Sequence, residues 1–252
     1  MDLHLRDRTC LVTGASSGIG RATAVLLAAE GGRVVATART QAALASLAEE
    51  IAAAGGAPPV LLAADFAREG AAGRLARQVL DQVGPVDVLV NNAGGSRPMT
   101  APDDPAAWEE AFRLNFVSAR EIGEILAPPM AARGWGRIVN VTGAILAKAF
   151  NAAGPAKAAL ESWSKAAAAT YAARGVTVNC VAPGRINTVQ ILERLHPTED
   201  SRQAFIDRNI PAGRFGEPGE AAALIAFLAS GPAGYVTGTT IPVDGGALRF
   251  AF

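Results

Sequence analysis

The chain has 252 residues, half of them apolar and 6% aromatic, and its 23 basic side chains balance 23 acidic ones. Such a composition supports a large aliphatic core and argues against disorder, while the zero net charge and the lack of any charged block argue against nucleic acid or an anionic membrane as partner. Residues 1–8 carry no apolar signal core, and no uncharged apolar run reaches the roughly 18 residues of a membrane span, so a cytoplasmic protein is expected.

In chain order, the first apolar run is residues 9–13, which leads into Gly14-Ala-Ser-Ser-Gly18-Ile-Gly20 and then a helix-like stretch over 21–30. Cys10 in this run and Cys180 in a later one read as buried thiols; with His4 and His196 the only histidines, no zinc-ligand spacing exists and no metal is expected. Glycines spaced as Gly14, Gly18 and Gly20 are, between strand and helix, allow a sharp turn, close backbone approach to a pyrophosphate and tight helix packing. The second strand, 33–38, ends in Ala38-Arg39, where an NAD-selective site would carry an acid; Arg39 instead suits a 2′-phosphate, so NADP(H) is expected over NAD(H).

A third strand over 59–64 is followed by Asp65, which could cap the next helix, face a cofactor, or do both. A fourth, 86–91, runs into Asn91-Asn92-Ala93-Gly94 and a turn-rich loop over 94–105. Strands over 136–142, 176–181 and 240–243 complete the set, and the strandless segment 184–218 has the length and placement of a substrate lid. Continuous apolar strands alternating with helices predict a single α/β domain over 1–252, a doubly wound Rossmann parallel sheet of about seven strands with helices on both faces.

Thr13–Gly20, Asn91-Asn92-Ala93-Gly94, Asn115, Lys157, Pro183-Gly184 and the ending Tyr235-Val-Thr-Gly238 through Val243-Asp-Gly-Gly246 together resemble the short-chain dehydrogenase/reductase family, most of all its 3-oxoacyl-carrier-protein reductase branch. The resemblance implies that Gly14, Ser16, Ile19 and Gly20 hold the cofactor phosphates and ribose, Asp65 the adenine, Asn91 and Ala93 a ribose, and Thr188 the nicotinamide carboxamide. Ser17, Gly18, Phe66, Gly94, Pro183, Gly184 and Ile186 complete the implied cofactor positions. Lys157 would bond the nicotinamide ribose hydroxyls, and Asn115 would support a water and proton path at a kink in its helix. A small-molecule substrate and a homo-oligomer follow from the same resemblance, a tetramer first and a dimer second, built on helices near 105–133 and 155–174.

The chain departs from the family at its chemistry. The tyrosine expected four residues before Lys157 is Ala153, and the serine expected after the fifth strand is Gly143, with Thr142 one residue early. In the enoyl-reductase spacing, with the tyrosine seven residues before the lysine, the position is Phe150. Lys157, Thr142, Lys148 and Asn151 are the groups that could replace the missing hydroxyls; Tyr171 and Tyr235 read as packing residues. Two readings follow: an NADP(H)-dependent oxidoreductase acting on a carbonyl or conjugated alkene through Lys157, Asn115 and Thr142, or a non-catalytic NADP(H)-binding subunit or sensor.

Overall fold

The computed structural model describes residues 1–99, 101, 103–143 and 151–249. Seven strands form one parallel sheet: β1 (Thr9–Thr13), β2 (Arg33–Ala38), β3 (Val60–Ala63), β4 (Val88–Asn91), β5 (Gly136–Val141), β6 (Val176–Pro183) and β7 (Thr240–Val243), in the order β3-β2-β1-β4-β5-β6-β7. The order reverses direction between β1 and β4, which pair through Cys10–Val88, Leu11–Leu89 and Val12–Val90. Crossovers leave β1 and β4 toward opposite faces there, opening a crevice at the strands' carboxyl ends where such sheets bind ligands.

Every residue of β1, β4 and β5 is buried, as expected for strands covered on both faces. One face is covered by α1 (Gly18–Ala29), α2 (Ala42–Ala53) and α8 (Pro218–Leu228), which bring Leu27, Leu44, Ile51 and Ile225 against Val12, Val90 and Val139. On the other lie α3 (Ala71–Gln82), α5 (Ser118–Ala132) and α6 (Ala153–Tyr171), with Leu75, Ile122, Leu126 and Ala168 packed on Leu11, Leu89 and Ile138. Helix α6 buries Ala153, Ala156, Leu160, Ser164, Ala167 and Ala168, a single helical stripe, and its alanines permit close approach to the sheet.

Local signals set the helix ends near the site. Asp104 caps α4 (Pro105–Phe112) by accepting from the amides of Ala106 and Ala107, and Glu217 with Glu220 forms a capping box on α8 ahead of Pro218. Between α4 and α5 the helix widens into a π turn, Arg113–Val117, with Asn115 inside it. The kink expected at Asn115 is therefore a π bulge, an irregularity that frees main-chain carbonyls from the regular ladder. The segment 184–218 contains a π-helical turn (Gln190–Leu195) and α7 (Glu199–Asn209), which close over a small cluster of Ile191, Ile210 and Phe215 with Leu192, Leu195 and Phe205 at its edge. Tyr171 packs partly against the core, but Tyr235 is fully exposed, which corrects its reading as a packing residue. Among the described residues no helix is long and apolar enough to cross a membrane.

Candidate functional site

The glycine loop turns through positive φ at Gly14 (66°) and Gly18 (55°), conformations that cost a side-chain-bearing residue free energy. It is braced from β4: the Asn92 amide donates to the carbonyls of Thr13 (3.0 Å) and Gly14 (3.1 Å), while the Thr13 hydroxyl accepts from the amides of Asn92 and Ala93 (3.0 Å each). A Cβ on Gly14 would lie 2.9 Å from the Cα of Ala93, and one on Gly18 would lie 2.8 Å from the Thr188 methyl. The loop, the Asn92-Ala93 turn and the Thr188 segment thus meet at one place, the crevice beside β1 and β4. No side chain caps α1, since the Ser17 hydroxyl makes no capping bond, so the helix's first amides stay available to an anion. An uncapped helix end behind a glycine cradle fits a dinucleotide pyrophosphate.

Around this cradle the expected cofactor positions divide. Ser16, Ile19 and Thr188 lie at the crevice surface, partly exposed, as do Pro183 and Gly184 at the end of β6, and Gly94 is exposed. Arg39 is exposed with no carboxylate partner among the described residues. Asp65 accepts from the amide of Ala67 (3.2 Å) and lies 3.6 Å from Arg68, so the local turn role applies. Phe66 is turned into the core beside Leu62, Ala71 and Leu75, so only its main chain can face a nucleotide. Asn91 also points inward: its amide donates to Asn140 (2.8 Å) and to the Ala119 carbonyl (3.3 Å). The side chain reaching the loop is Asn92's, which sequence reasoning missed although it stood in the same motif. Ile186 is likewise buried and pairs with Gly216.

The reactive end of the site is built on Lys157 and Asn115. Their Nζ and Oδ1 converge on Gly94, each 2.8 Å from where a Cβ on that glycine would lie. Asn115, buried in its π turn, accepts from the Gly95 amide (2.9 Å) and donates to the Ala111 carbonyl (3.0 Å). Lys157 donates to the carbonyl of Val141 at the end of β5 (2.6 Å). Burial draws its pKa down from 10.5 to about 8, against smaller opposing effects of Cys180 and Glu161. Glu161, one helical turn further along α6, has its own pKa raised by burial, partly offset by the Thr142 hydroxyl and by Lys157. Lys157 is thus an amine poised to exchange a proton near neutral pH.

The other expected donors make contacts of their own. Thr142 continues the β5 pairing, with its amide bonded to the Val181 carbonyl (2.8 Å) and its hydroxyl donating to the same oxygen (3.3 Å). The same hydroxyl also lies against the Glu161 carboxyl, one helical turn from Lys157. Asn151 is a clip: its oxygen accepts from the amides of Arg97 (3.1 Å) and Ala153 (3.0 Å), and its nitrogen donates to the Ser96 hydroxyl (2.6 Å). With the Pro98–Asn151 bridge it fastens the loop after β4 to the start of α6. Ala153 is buried under this clip, whereas a Cβ on Gly143 would meet nothing within 4 Å among the described residues. Lys148 and Phe150 lie outside the described residues.

Comparison with known proteins gives a consistent picture. A family model described as Enoyl-(Acyl carrier protein) reductase matches residues 14–247. The 3-oxoacyl-[acyl-carrier-protein] reductase FabG of Vibrio harveyi is 36% identical over 251 residues, spanning 97% of this chain and 98% of that protein. Among solved structures, 3-oxoacyl (acyl-carrier-protein) reductase from Agrobacterium tumefaciens C58 with NADP bound superposes with a TM-score of 0.91 at 30% identity, over 97% of this chain and 95% of that one. L-sorbose reductase from Gluconobacter frateurii, complexed with NADPH and L-sorbose, gives 0.92 at 30% identity, over 99% and 100%. The glycine cradle at the sheet's switch point and a match over nearly the whole length together establish that the chain belongs to the short-chain dehydrogenase/reductase family.

Proposed function

We propose that this protein binds NADP(H) and transfers hydride between the nicotinamide and a carbonyl or conjugated alkene of a small or acyl substrate, with Lys157 as the proton donor. The observation that carries the reading is the convergence of the Lys157 ammonium and Asn115 on Gly94, at the carboxyl ends of the strands and beside the glycine cradle. Ala153 and Gly143 stand where the family has its tyrosine and serine, so an alkoxide formed by hydride addition would find no hydroxyl there. An amine whose pKa is near 8 is well matched to protonating such an oxygen, since a general acid works best close to the operating pH. The cofactor, when bound, supplies the hydride. This chain's part is to hold its phosphates at Gly14–Gly20, seat the nicotinamide end against Thr188, and offer the proton from Lys157.

Arg39 supports NADP(H) over NAD(H). Its replacement by alanine should weaken NADPH binding by about tenfold or more, the value of a lost charge-assisted phosphate contact, and leave NADH binding nearly unchanged. Fluorescence titration with both nucleotides checks this. The NADP- and NADPH-bound relatives point the same way.

A second reading, a non-catalytic NADP(H)-binding subunit or sensor, draws on one observation: the Asn151 amide is committed to the loop after β4 and the start of α6. Restoring the missing groups separates the two. Gly143→Ser meets no described residue with its Cβ, and Ala153→Tyr places a phenol four residues before Lys157. The double variant should raise ketone reduction by about tenfold or more if the defect lies in proton delivery. Retained NADPH binding with no gain would count against that account. A single domain over the whole chain, a homotetramer with a dimer as second form, and a cytoplasmic location complete the proposal; light scattering of the purified protein tests the assembly.

A further inference from the structure

Segment 184–218 contains a cation with no counter-charge among the described residues. Arg185 lies two residues beyond the end of β6 and three before Thr188, half-buried, and its guanidinium packs against His196 and Phe205 of the lid segment. Its Nε donates to Nε2 of His196 (3.1 Å), and its central carbon lies 4.7 Å from the centroid of the Phe205 ring. Because Arg185 donates to it, His196 Nε2 carries a lone pair, so the imidazole is neutral with its proton on Nδ1. That ring is itself held between Phe205 and Phe215, with centroids 4.7 and 5.5 Å away. One edge of the guanidinium is therefore fixed by His196 and one face by Phe205, which sets its plane.

What remains open is the end of the fork. The two terminal nitrogens of Arg185 have no carboxylate partner among the described residues, and burial alone pulls its pKa down, with no acid opposing. Several acids around the lid are committed: Glu199 pairs with Arg202 (3.1 Å), Glu220 pairs with Arg214 (2.7 Å), and Asp244 accepts from the amides of Gly246 (3.0 Å) and Leu248 (2.8 Å); Glu193 and Asp200 of the same segment form no ion pair with Arg185. A partly buried guanidinium is normally paired, because removing its hydration without compensation is costly. An oriented fork beneath a lid, with its two terminal donors free, matches a bidentate oxyanion.

We infer that Arg185 is the receptor for an anionic group, a carboxylate or phosphoryl, on the substrate, taken up beneath the 184–218 lid. The inference rests on the reading of this cleft as the hydride-transfer site and names the class of compound it takes. A neutral partner at Nε, in place of an acid, leaves the positive charge unneutralised for the ligand.

The test uses the whole protein saturated with NADP⁺, so that the nucleotide's own anion sites are filled and a ketone can bind without reacting. Calorimetry compares levulinate with 2-pentanone, its uncharged counterpart. Unmodified protein should bind levulinate about tenfold or more tightly than 2-pentanone. Arg185→Leu should abolish that difference, while Arg185→Lys, which keeps charge and stem but loses the fork, should retain part of it. Inorganic phosphate that competes with levulinate in the unmodified protein but not in Arg185→Leu would support the receptor and favour a phosphoryl substrate. Equal binding of the two ketones, or a preference that survives in Arg185→Leu, would overturn the inference. NADPH oxidation is read separately: discrimination without turnover leaves the receptor standing and sinks hydride transfer, and turnover without discrimination does the reverse.

Discussion

Lys157→Met is expected to lower NADPH-dependent turnover by about 10²- to 10⁴-fold, the range associated with a positioned general acid. In the unmodified protein, proton donation requires the ammonium form, so the rate should hold steady at lower pH and fall about tenfold per unit as pH rises through about 8, the pKa that burial imposes on Lys157. Lys157→Arg keeps a cation but cannot release its proton in this range, so it should bind nucleotide and still turn over poorly. Lost packing alone would give a different pattern. Met matches the aliphatic stem of lysine and removes a charge whose folded-state pKa lies below its unfolded value of 10.5. A lysine of this kind destabilises the fold when protonated. Stability of the unmodified protein should therefore rise as pH passes from 8 to 9, by about 1 kcal/mol, because the unfolded chain then holds more protons than the folded one. Lys157→Met should lack that rise and should be no less stable at neutral pH. Stopped-flow rates and denaturant melts across this range check both parts.

The second large effect belongs to the nucleotide cradle. Gly20→Ala places a methyl group onto the Gly14 carbonyl and the Asn92 amide, closer than nonbonded atoms approach. Asn92 is a side chain and can move, but the Gly14 carbonyl is main chain inside the turn that receives the pyrophosphate. Either adjustment breaks the Asn92 bonds to Thr13 and Gly14 that hold the loop to β4. NADPH binding should weaken by tenfold or more, with stability lowered by roughly 2 kcal/mol, as for other substitutions that overpack a tight site. Gly219→Ala is the control: a Cβ there meets nothing within 4 Å, so nucleotide binding should be untouched and stability should rise slightly. Fluorescence titration and thermal melting of the two variants give the comparison.

The sheet was legible because each strand is a short apolar run, and in a parallel sheet covered on both faces such runs need no alternation to be recognised. Strand ends shifted by one or two residues. The third strand spans Val60–Ala63 where 59–64 was expected, and the sixth runs on to Pro183 beyond 181. Burial on both faces is also why the site was read less well. In β4 neither face is solvent, so residue type does not reveal which side Asn91 takes; it turns inward to Asn140 and leaves the bracing of the glycine loop to Asn92. At the end of β5 the main-chain pairing runs on to Thr142, whose amide bonds to Val181, one residue beyond the strand. Lys157 and Asn115 come together from helices far apart in sequence, and only the resemblance joined them beforehand. The Arg185–His196 contact depends on how an irregular lid folds back on itself, which spacing does not determine.

The most direct measurement is transfer of label from NADPH deuterated at C4 of the nicotinamide. Unmodified protein would be incubated with β-ketoacyl thioesters, enoyl thioesters, simple ketones and keto acids, and the products examined by mass spectrometry after nucleotide binding is confirmed. The account predicts deuterium at the reduced carbon of at least one class, and its loss in Lys157→Met. Tight NADPH binding with no label transferred to any class would contradict hydride transfer and support the non-catalytic reading.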